Sequence, residues 1–361
     1  MKIAIIGASG FIGNRLVERI QLAGLDQPVP IVRRASSMAL PARFDLECRL
    51  ADALDVDALA RALSGCDAVV HAALGDPRQI EAMPAALTAA VAQAGIKRVV
   101  YLSSASVHGQ APDRGTDEST PLHTNHALEY NNAKVRAERA FLAGCASRGL
   151  EGFALRPGVV YGPRSRWIAD LAEQFEDRTA WLLGDGDGIC NCIYVDNLLI
   201  AAQLALEAPA SAAGVYLVND PGTHTWADFL HRAADELGVD PTTIHRLDRL
   251  PTFKIHWAQK ARRAAEGAWM QRVLPLVPGR VKYVTKTFLD ASRATPPPSS
   301  WKLPATPAPA PTQEMALLQQ CRWRLPDARA VSELGYAPAF SFEEGMQRSF
   351  AWWKFLQQTA A

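Results

Sequence analysis

The feature that most limits the fold of this chain stands at its very start. KIAII (2–6) is a short apolar run, GASGFIG (7–13) follows at once, and helical periodicity takes over from Phe11. A strand, a glycine turn and a helix in that order form the first unit of an α/β sheet. Gly7, Gly10 and Gly13 are glycines because a tight turn needs an unusual φ and because a Cβ would keep a ligand off the backbone. The helix then points its free N–H groups at whatever sits on the turn, which suits a dinucleotide pyrophosphate. Phe11 and Ile12, in the helix's first turn, join the three glycines as expected cofactor contacts. The spacing is G-x-x-G-x-x-G, not the commoner G-x-G-x-x-G.

The first half continues the alternation. Short apolar runs at 30–32, 46–50, 68–71 and 98–103 read as strands, with helices at 56–63 and 85–94 between them. Continuous apolar runs suit strands buried on both faces of a parallel sheet. Strands separated by helices imply right-handed βαβ crossovers. The fold class is therefore α/β, a Rossmann-type doubly wound parallel sheet with a smaller, mixed C-terminal substrate lobe. Residues 1–165 form the dinucleotide-binding domain, with 190–220 returning to it, and 166–361 form mostly the substrate lobe. A helix over 129–147, a strand over 152–156, a strand and helix within 193–206, a strand at 215–218 and a helix over 226–237 continue the pattern. One or two helices close the chain.

The end of the second strand selects the cofactor. An acid there would bond the adenosine ribose and repel a 2′-phosphate. This chain has Arg33 and Arg34 instead, so NADP(H) is favoured, with NAD(H) the alternative. Asp52, in RLADAL, is placed to accept from the adenine amino group, with Ala53 beside it. Ala72 and Ala73, in HAAL, are small where backbone passes close to the cofactor.

Tyr130 and Lys134, in YNNAK, are four apart and share one helical face. A free tyrosine titrates near 10, too high for proton exchange at neutrality. A neighbouring ammonium and an oxidised nicotinamide both favour phenolate. Lowering the phenol by about three pKa units takes roughly 4 kcal/mol, within reach of two cations in a partly dry cleft. Tyr130 is then the acid–base group for a hydride transfer, and Lys134 also holds the nicotinamide ribose. Ser103 and Ser104 end the strand at 98–103, where open α/β sheets bind ligands. Ser104 is placed to orient the reacting oxygen toward Tyr130, and Ser103 to face the cofactor.

Composition excludes several classes. A net charge of +1 gives no drive toward nucleic acid. No apolar run approaches the ~18 residues of a membrane span. The start MKIAIIGASG goes straight into a strand, without a signal-peptide pattern, so a cytoplasmic location is expected. The six cysteines are scattered, and Cys190 and Cys192 lack further ligands at metal spacing, so no metal is expected. The stretch 246–286 carries ten lysines and arginines against two acids; it reads as a solvated helical face, with a membrane-surface or anionic-substrate contact as the functional alternative. The proline-rich stretch 295–312 reads as an extended loop.

As a set, GASGFIG, LADALDVDAL, HAAL, RVVYLSSASVHG, DESTPL, EYNNAKVRAE, LRPGVVYGP, GDGDG and IYVDNL resemble the extended short-chain dehydrogenase/reductase superfamily, in its NAD(P)-dependent epimerase/dehydratase branch. They cover about the first 200 residues in the family's order; VYLVNDPGTHTWADF and ELGYAPAFSFEEGM match its later part more loosely. The resemblance implies Ser104, Tyr130 and Lys134 as the catalytic triad, Pro157 and Val160 as lining of the nicotinamide pocket, and a homodimer. The chain also departs from the pattern. IEAMP (80–84) lacks the family's asparagine before the fifth strand, and His108 replaces a tyrosine. Ala105 and Ser106 replace the Asp-Glu pair of sugar 4,6-dehydratases, so elimination of water by that pair is not expected.

Three functions compete at this level. The first is a nucleotide-sugar oxidoreductase or epimerase, with the basic stretch meeting a diphosphate. The second is an NADPH-dependent reductase or dehydrogenase of a hydrophobic carbonyl or alcohol, of the flavonol-reductase or hydroxysteroid-dehydrogenase kind, with Trp257 and Trp269 in an apolar pocket. The third is a non-catalytic NADP-binding sensor, which the presence of both Tyr130 and Lys134 disfavours.

Overall fold

The computed structural model describes residues 1–24, 26–250, 253 and 308–360. The described elements belong to one unit, Met1–Arg249 with Pro309–Ala361. The basic stretch beyond residue 250, Trp257, Trp269 and the proline-rich stretch up to residue 307 lie, residue 253 apart, outside the described residues.

Seven parallel strands build the central sheet: β1 (Lys2–Ile6), β2 (Gln27–Val32), β3 (Arg49–Leu50), β4 (Ala68–His71), β5 (Arg98–Leu102), β6 (Glu151–Pro157) and, after three short strands elsewhere, β10 (Gly214–Val218). Their order across the sheet is β10-β6-β5-β4-β1-β2-β3. The chain therefore winds outward from β1 to β3, crosses back to β4, and winds the other way. The switch point lies between β1 and β4, where a doubly wound sheet opens a crevice at its carboxyl edge. The expected Rossmann-type sheet is present.

Helices cover both faces, which is why the strands are apolar along their whole length. α1 (Phe11–Ala23), α6 (Val195–Glu207) and α9 (Ala328–Leu334) pack on one face through Leu16, Val17, Leu198, Ala202 and Leu334. α2 (Val56–Leu63), α3 (Pro77–Gln93) and α4 (Glu129–Arg148) cover the other, through Leu59, Leu63, Leu87, Val91, Phe141 and Cys145. A third core gathers α5 (Arg166–Glu176), α7 (Trp226–Leu237) and α10 (Phe342–Ala360) around the parallel pair β7 (Val159–Tyr161) and β9 (Cys192–Tyr194). A second small pair joins β8 (Trp181–Leu183) to β11 (His245–Leu247), and the short helix α8 (Gln313–Leu318) reaches back toward the sheet's carboxyl edge.

Three boundaries differ from expectation by more than a residue, each for a local reason. β2 starts at Gln27, not Pro30, because alternate residues donate to β1; Pro28 and Pro30 lie between them, facing the side where β3 pairs only with Ile31 and Val32. β3 is confined to Arg49–Leu50 by that same short pairing, not spread over 46–50. α3 begins at Pro77 and runs through Pro84, not from residue 85. Its start is fixed by a reciprocal capping box between Asp76 and Gln79, with Pro77 in the first turn where a missing N–H costs nothing. Buried Ile80, Met83 and Leu87 outweigh the one backbone bond lost at Pro84.

Candidate active site

The glycine turn does three separate jobs. Gly7 has φ +86, and a Cβ there would fall 2.7 Å from the Ala73 backbone after β4. A Cβ on Gly13 would fall 2.3 Å from the Gly7 carbonyl oxygen, so α1 can seat on the turn only with glycine there. Gly10 is different. A Cβ there would meet only the Gly7 oxygen, at 3.3 Å, so its glycine keeps open the side that faces out. Gly10 caps α1 without any side-chain hydrogen bond, and no acid stands in the first turn. The helix N-terminus is left with its donors free and its dipole uncompensated, a good seat for an anion.

A cavity of about 450 Å³ opens over this turn. Gly7, Gly10, Phe11, Ile12, Arg33, Arg34, Asp52, Ala53, Ala72 and Ala73 all line it. Arg33 and Arg34 are exposed at the end of β2, and no acid pairs with either among the described residues. Ser37 stands on the same wall, a hydroxyl the sequence reading missed because it belongs to no recognised motif. The Asp52 carboxylate accepts the Leu54 N–H at 3.0 Å through Oδ1, leaving the other oxygen for a ligand. Below Ala72, His71 is buried with neither ring nitrogen hydrogen-bonded. Burial, and then the Lys134 charge, push it down to about 3, so it is a neutral packing group.

The second cavity, about 400 Å³, adjoins the first and shares Phe11, Ile12, Ala72, Ala73 and Leu74 with it. It gathers Ser103 and Ser104 from the end of β5, Tyr130 and Lys134 from α4, and Pro157 and Val160 from β6 and β7. Every residue expected at the chemical end is thus brought to one place. Lys134 Nζ donates to the Leu102 carbonyl at 3.1 Å and stands 5.9 Å from the centre of the Tyr130 ring. Burial pushes Lys134 down to about 8, with the Glu138 charge pulling it back.

Tyr130 departs from expectation. Its phenol is pushed up, to about 12, by burial, with the Ser104 hydroxyl acting against the rise and the Glu314 charge adding to it. Lys134 does not set the balance. Its ammonium is spent on the Leu102 carbonyl, and the wall beside Tyr130 is Ile80 and Met83, where the family's asparagine is missing. Dry apolar contact therefore wins over the single cation, and the group is a protonated phenol.

Ser103 and Ser104 divide their roles. Ser103 is buried, and its hydroxyl donates to Glu138 Oε2 at 2.5 Å. Glu138 in turn takes both arms of Arg156, at 2.5 and 3.0 Å. Arg156 also donates to His108 Nε2 at 3.0 Å. Burial and the neighbouring guanidinium push His108 down to about 4, so its ring is neutral and accepts. Ser103 and His108 thus belong to a buried frame that ties β5, α4 and β6 together. Ser104 is half-buried and faces the cavity with Tyr130.

The far wall comes from segments with no motif: Gln110, Pro112, Arg164, Trp167, Ile189, Glu314, Leu318 and Leu325. Arg164 holds a left-handed backbone, φ 73, and reaches Asn14 of α1. Cys190 and Cys192 are buried in the third core. Among the described residues no helix is long and apolar enough to cross a membrane.

Comparison with known proteins gives the family. Residues 3–218 match the model of the NAD dependent epimerase/dehydratase family. The chain is 26% identical over 366 residues to a 2-alkyl-3-oxoalkanoate reductase of Stenotrophomonas maltophilia, covering 96% of this chain and 98% of the relative. It is 22% identical over 269 residues to a 3beta-hydroxysteroid-dehydrogenase/decarboxylase of Arabidopsis thaliana, covering 71% of this chain and about half, 53%, of the plant protein. Among solved structures, UDP-glucuronic acid 4-epimerase from Bacillus cereus, in complex with NAD, superposes with a TM-score of 0.67 at 16% identity, over 99% of each chain. The chain belongs to the NAD dependent epimerase/dehydratase family and is an NAD(P)-dependent enzyme of that family.

Proposed function

We propose that this family member is an NADP(H)-dependent oxidoreductase that interconverts an apolar carbonyl compound and its alcohol. The observation that carries this reading is the lining of the second cavity. Around Ser104, Tyr130 and Lys134 it is walled by Leu74, Ala105, Pro112, Trp167, Ile189, Leu318 and Leu325. Such a wall gains by excluding water from an apolar substrate, while Gln110, Asn191 and Glu314 on the same cavity supply a few polar contacts. The relative that matches along nearly its whole length is also named for reduction of an alkyl keto compound. In this reading 1–165 and 190–220 carry the cofactor, and 166–361 supply much of the substrate wall.

The residues fit the dinucleotide. The open α1 N-terminus at Gly10, Phe11 and Ile12 would hold the pyrophosphate, and Asp52 with Ala53 the adenine. Arg33 and Arg34, which pair with no acid among the described residues, would hold a 2′-phosphate, which favours NADP(H) over NAD(H). Lys134 would hold the nicotinamide ribose, with Pro157 and Val160 against the ring. The bound nicotinamide supplies hydride transfer. Tyr130 gives its phenolic proton to the carbonyl oxygen on reduction and receives it back on oxidation, while Ser104 orients that oxygen. Held up at about 12, the phenol is fully protonated at neutral pH, and the positive charge of an oxidised nicotinamide would lower it toward the range where a proton exchanges efficiently.

Arg164 and Arg166, on the same cavity, favour a second reading, in which a nucleotide sugar presents its diphosphate there. NADPH oxidation with medium-chain ketones, set against epimerisation of UDP-sugars, separates the two. Turnover of ketones alone, lost by about 10²–10⁴-fold in Tyr130→Phe with NADPH still bound, is the expected result. Turnover of UDP-sugars alone, or activity kept by Tyr130→Phe, refutes the reading.

A further inference from the structure

The turn after β7 carries a residue that does not suit it. Ser165 N–H donates to the Gly162 carbonyl at 3.0 Å, with Pro163 and Arg164 between them. Arg164 has φ 73, so the third position of the turn is left-handed, where glycine or asparagine is the usual occupant. A bulky residue kept in such a conformation points to a use for its side chain. That side chain lines the substrate cavity, which Phe11 and Ile12 of α1 join to the cofactor cavity. Its Nη1 donates to Asn14 Oδ1. Asn14 is fully buried in the first turn of α1, and its own N–H donates to the Gly10 carbonyl at 2.9 Å. A Cβ on Gly162 would meet Phe11 Cζ at 3.4 Å. The turn therefore lies against the first turn of α1, and the Asn14 anchor is only about 6 Å along the axis from the Gly10 cap. Among the described residues Asn14 is the one acceptor of this guanidinium, and no acid pairs with it. Burial, and then the Arg43 charge, push Arg164 down from its ordinary range, while Arg43 itself pairs with Glu18. The surroundings of Arg164 thus oppose its charge and do not meet it.

We propose that Arg164, anchored on Asn14, is a ligand of the cofactor pyrophosphate, so that the turn after β7 holds the dinucleotide on the α1 N-terminus. This rests on the reading of the two cavities as one dinucleotide trough. Five cations line that trough: Arg33, Arg34, Lys134, Arg164 and Arg166. Arg33 and Arg34 stand at the end of β2, at the adenosine end. Lys134 stands beside Tyr130, at the nicotinamide end. The Arg166 side chain is 91% exposed and pairs with Asp170 at 3.5 Å. Arg164 is the cation that is both fixed to α1 and without an acid, and so it is placed for the two negative charges between those ends. The helix N-terminus offers them only about half a unit of positive charge. A guanidinium adds a full charge and a fork of N–H donors, of which one is used on Asn14. With Arg164 given to the cofactor, the exposed Arg166 is what remains for a substrate diphosphate.

The test is fluorescence titration of the full-length protein with NADPH, NADH, adenosine 2′-monophosphate and UDP, alongside thermal melting without ligand. Arg164→Gly should raise the Kd for NADPH and for NADH alike, by about 10–100-fold, since both carry the pyrophosphate. Adenosine 2′-monophosphate, which has no pyrophosphate, should bind as before. Arg164→Lys keeps the charge without the fork and should lose less. The ligand-free melting temperature of Arg164→Gly should stay near that of the wild type, because glycine fits the left-handed position better than arginine does. A merely structural arginine would instead lose stability and affinity together, and that result overturns the proposal. So does unchanged affinity for both cofactors, or a loss confined to NADPH. Loss of UDP binding with both cofactors still held would give the cation to a substrate diphosphate, and overturns it too. The underlying reading fails separately: a wild type that binds neither NADPH nor NADH discards the dinucleotide trough and the proposal with it, whereas equal binding by wild type and Arg164→Gly discards the proposal alone.

Discussion

The frame behind the site can be broken at a single atom. In Glu138→Gln the side chain keeps its shape but loses its charge and one acceptor. Glu138 is fully buried, and its two oxygens receive Ser103 Oγ at 2.5 Å and Arg156 at 2.5 and 3.0 Å. After the change Arg156, only 3% exposed, would keep its charge with the neutral His108 Nε2 and the Glu118 carbonyl as partners. Removing one side of a buried ion pair costs about 3–5 kcal/mol, because the other charge stays desolvated. The melting temperature should fall by roughly 5–10 °C. The loss should be coupled to the partner: Glu138→Leu combined with Arg156→Met leaves no buried charge and should cost well under the sum of the two single changes. Thermal and urea unfolding of the wild type, Glu138→Gln, the two single changes of the cycle and their combination measures this directly. A Glu138→Gln cost under about 1 kcal/mol, or strict additivity in the cycle, would refute the account of the pair as a desolvated clamp.

Two further outcomes follow from charges at the two ends of the trough. Arg33→Asp should raise the Kd for NADPH by about 10–100-fold, since it removes one unpaired cation and adds repulsion, and should leave NADH nearly unchanged; an equal effect on both cofactors in fluorescence titrations would undo the 2′-phosphate assignment. Lys134→Met should stabilise the protein at neutral pH. Burial lowers Lys134 from its ordinary 10.5 to about 8, so the folded state loses stability by holding that proton, by up to about 3 kcal/mol below pH 8. The penalty fades as pH rises from about 8 to about 10.5, where the unfolded chain binds more protons than the folded one. The advantage of Lys134→Met in urea unfolding should therefore shrink across that window; a difference that stays constant with pH would contradict the burial of a charged lysine.

What could be read in the sequence was local. A strand, a glycine turn and a helix are written in consecutive residues, and β1, α1, β4 and α2 have the bounds their periodicity implies. α3 starts eight residues before the apolar run at 85–94 implies, because its start is set by Asp76 and Gln79 three residues apart, a polar pair with no apolar period. β2 runs three residues further toward its start than the apolar run at 30–32 implies, because the side on which Pro28 and Pro30 lack an N–H depends on a neighbour that the linear chain does not show.

The site divides along the same line. Glycines, Tyr130 and Lys134 declare themselves because the backbone or one helical turn fixes their spacing. The electrostatics do not, because they depend on what packs from elsewhere. The sequence places an ammonium one turn from a phenol and so argues for a lowered pKa. The fold spends that ammonium on the Leu102 carbonyl, sets Ile80 and Met83 beside the ring, and brings Glu314 from the far end of the chain. Two of these three changes favour the neutral phenol and the third deprives the phenolate of its cation, so the sign of the shift reverses. A motif in this chain therefore places a phenol in the cavity, while the residues between motifs decide how firmly it holds its proton and which side chains stand around it.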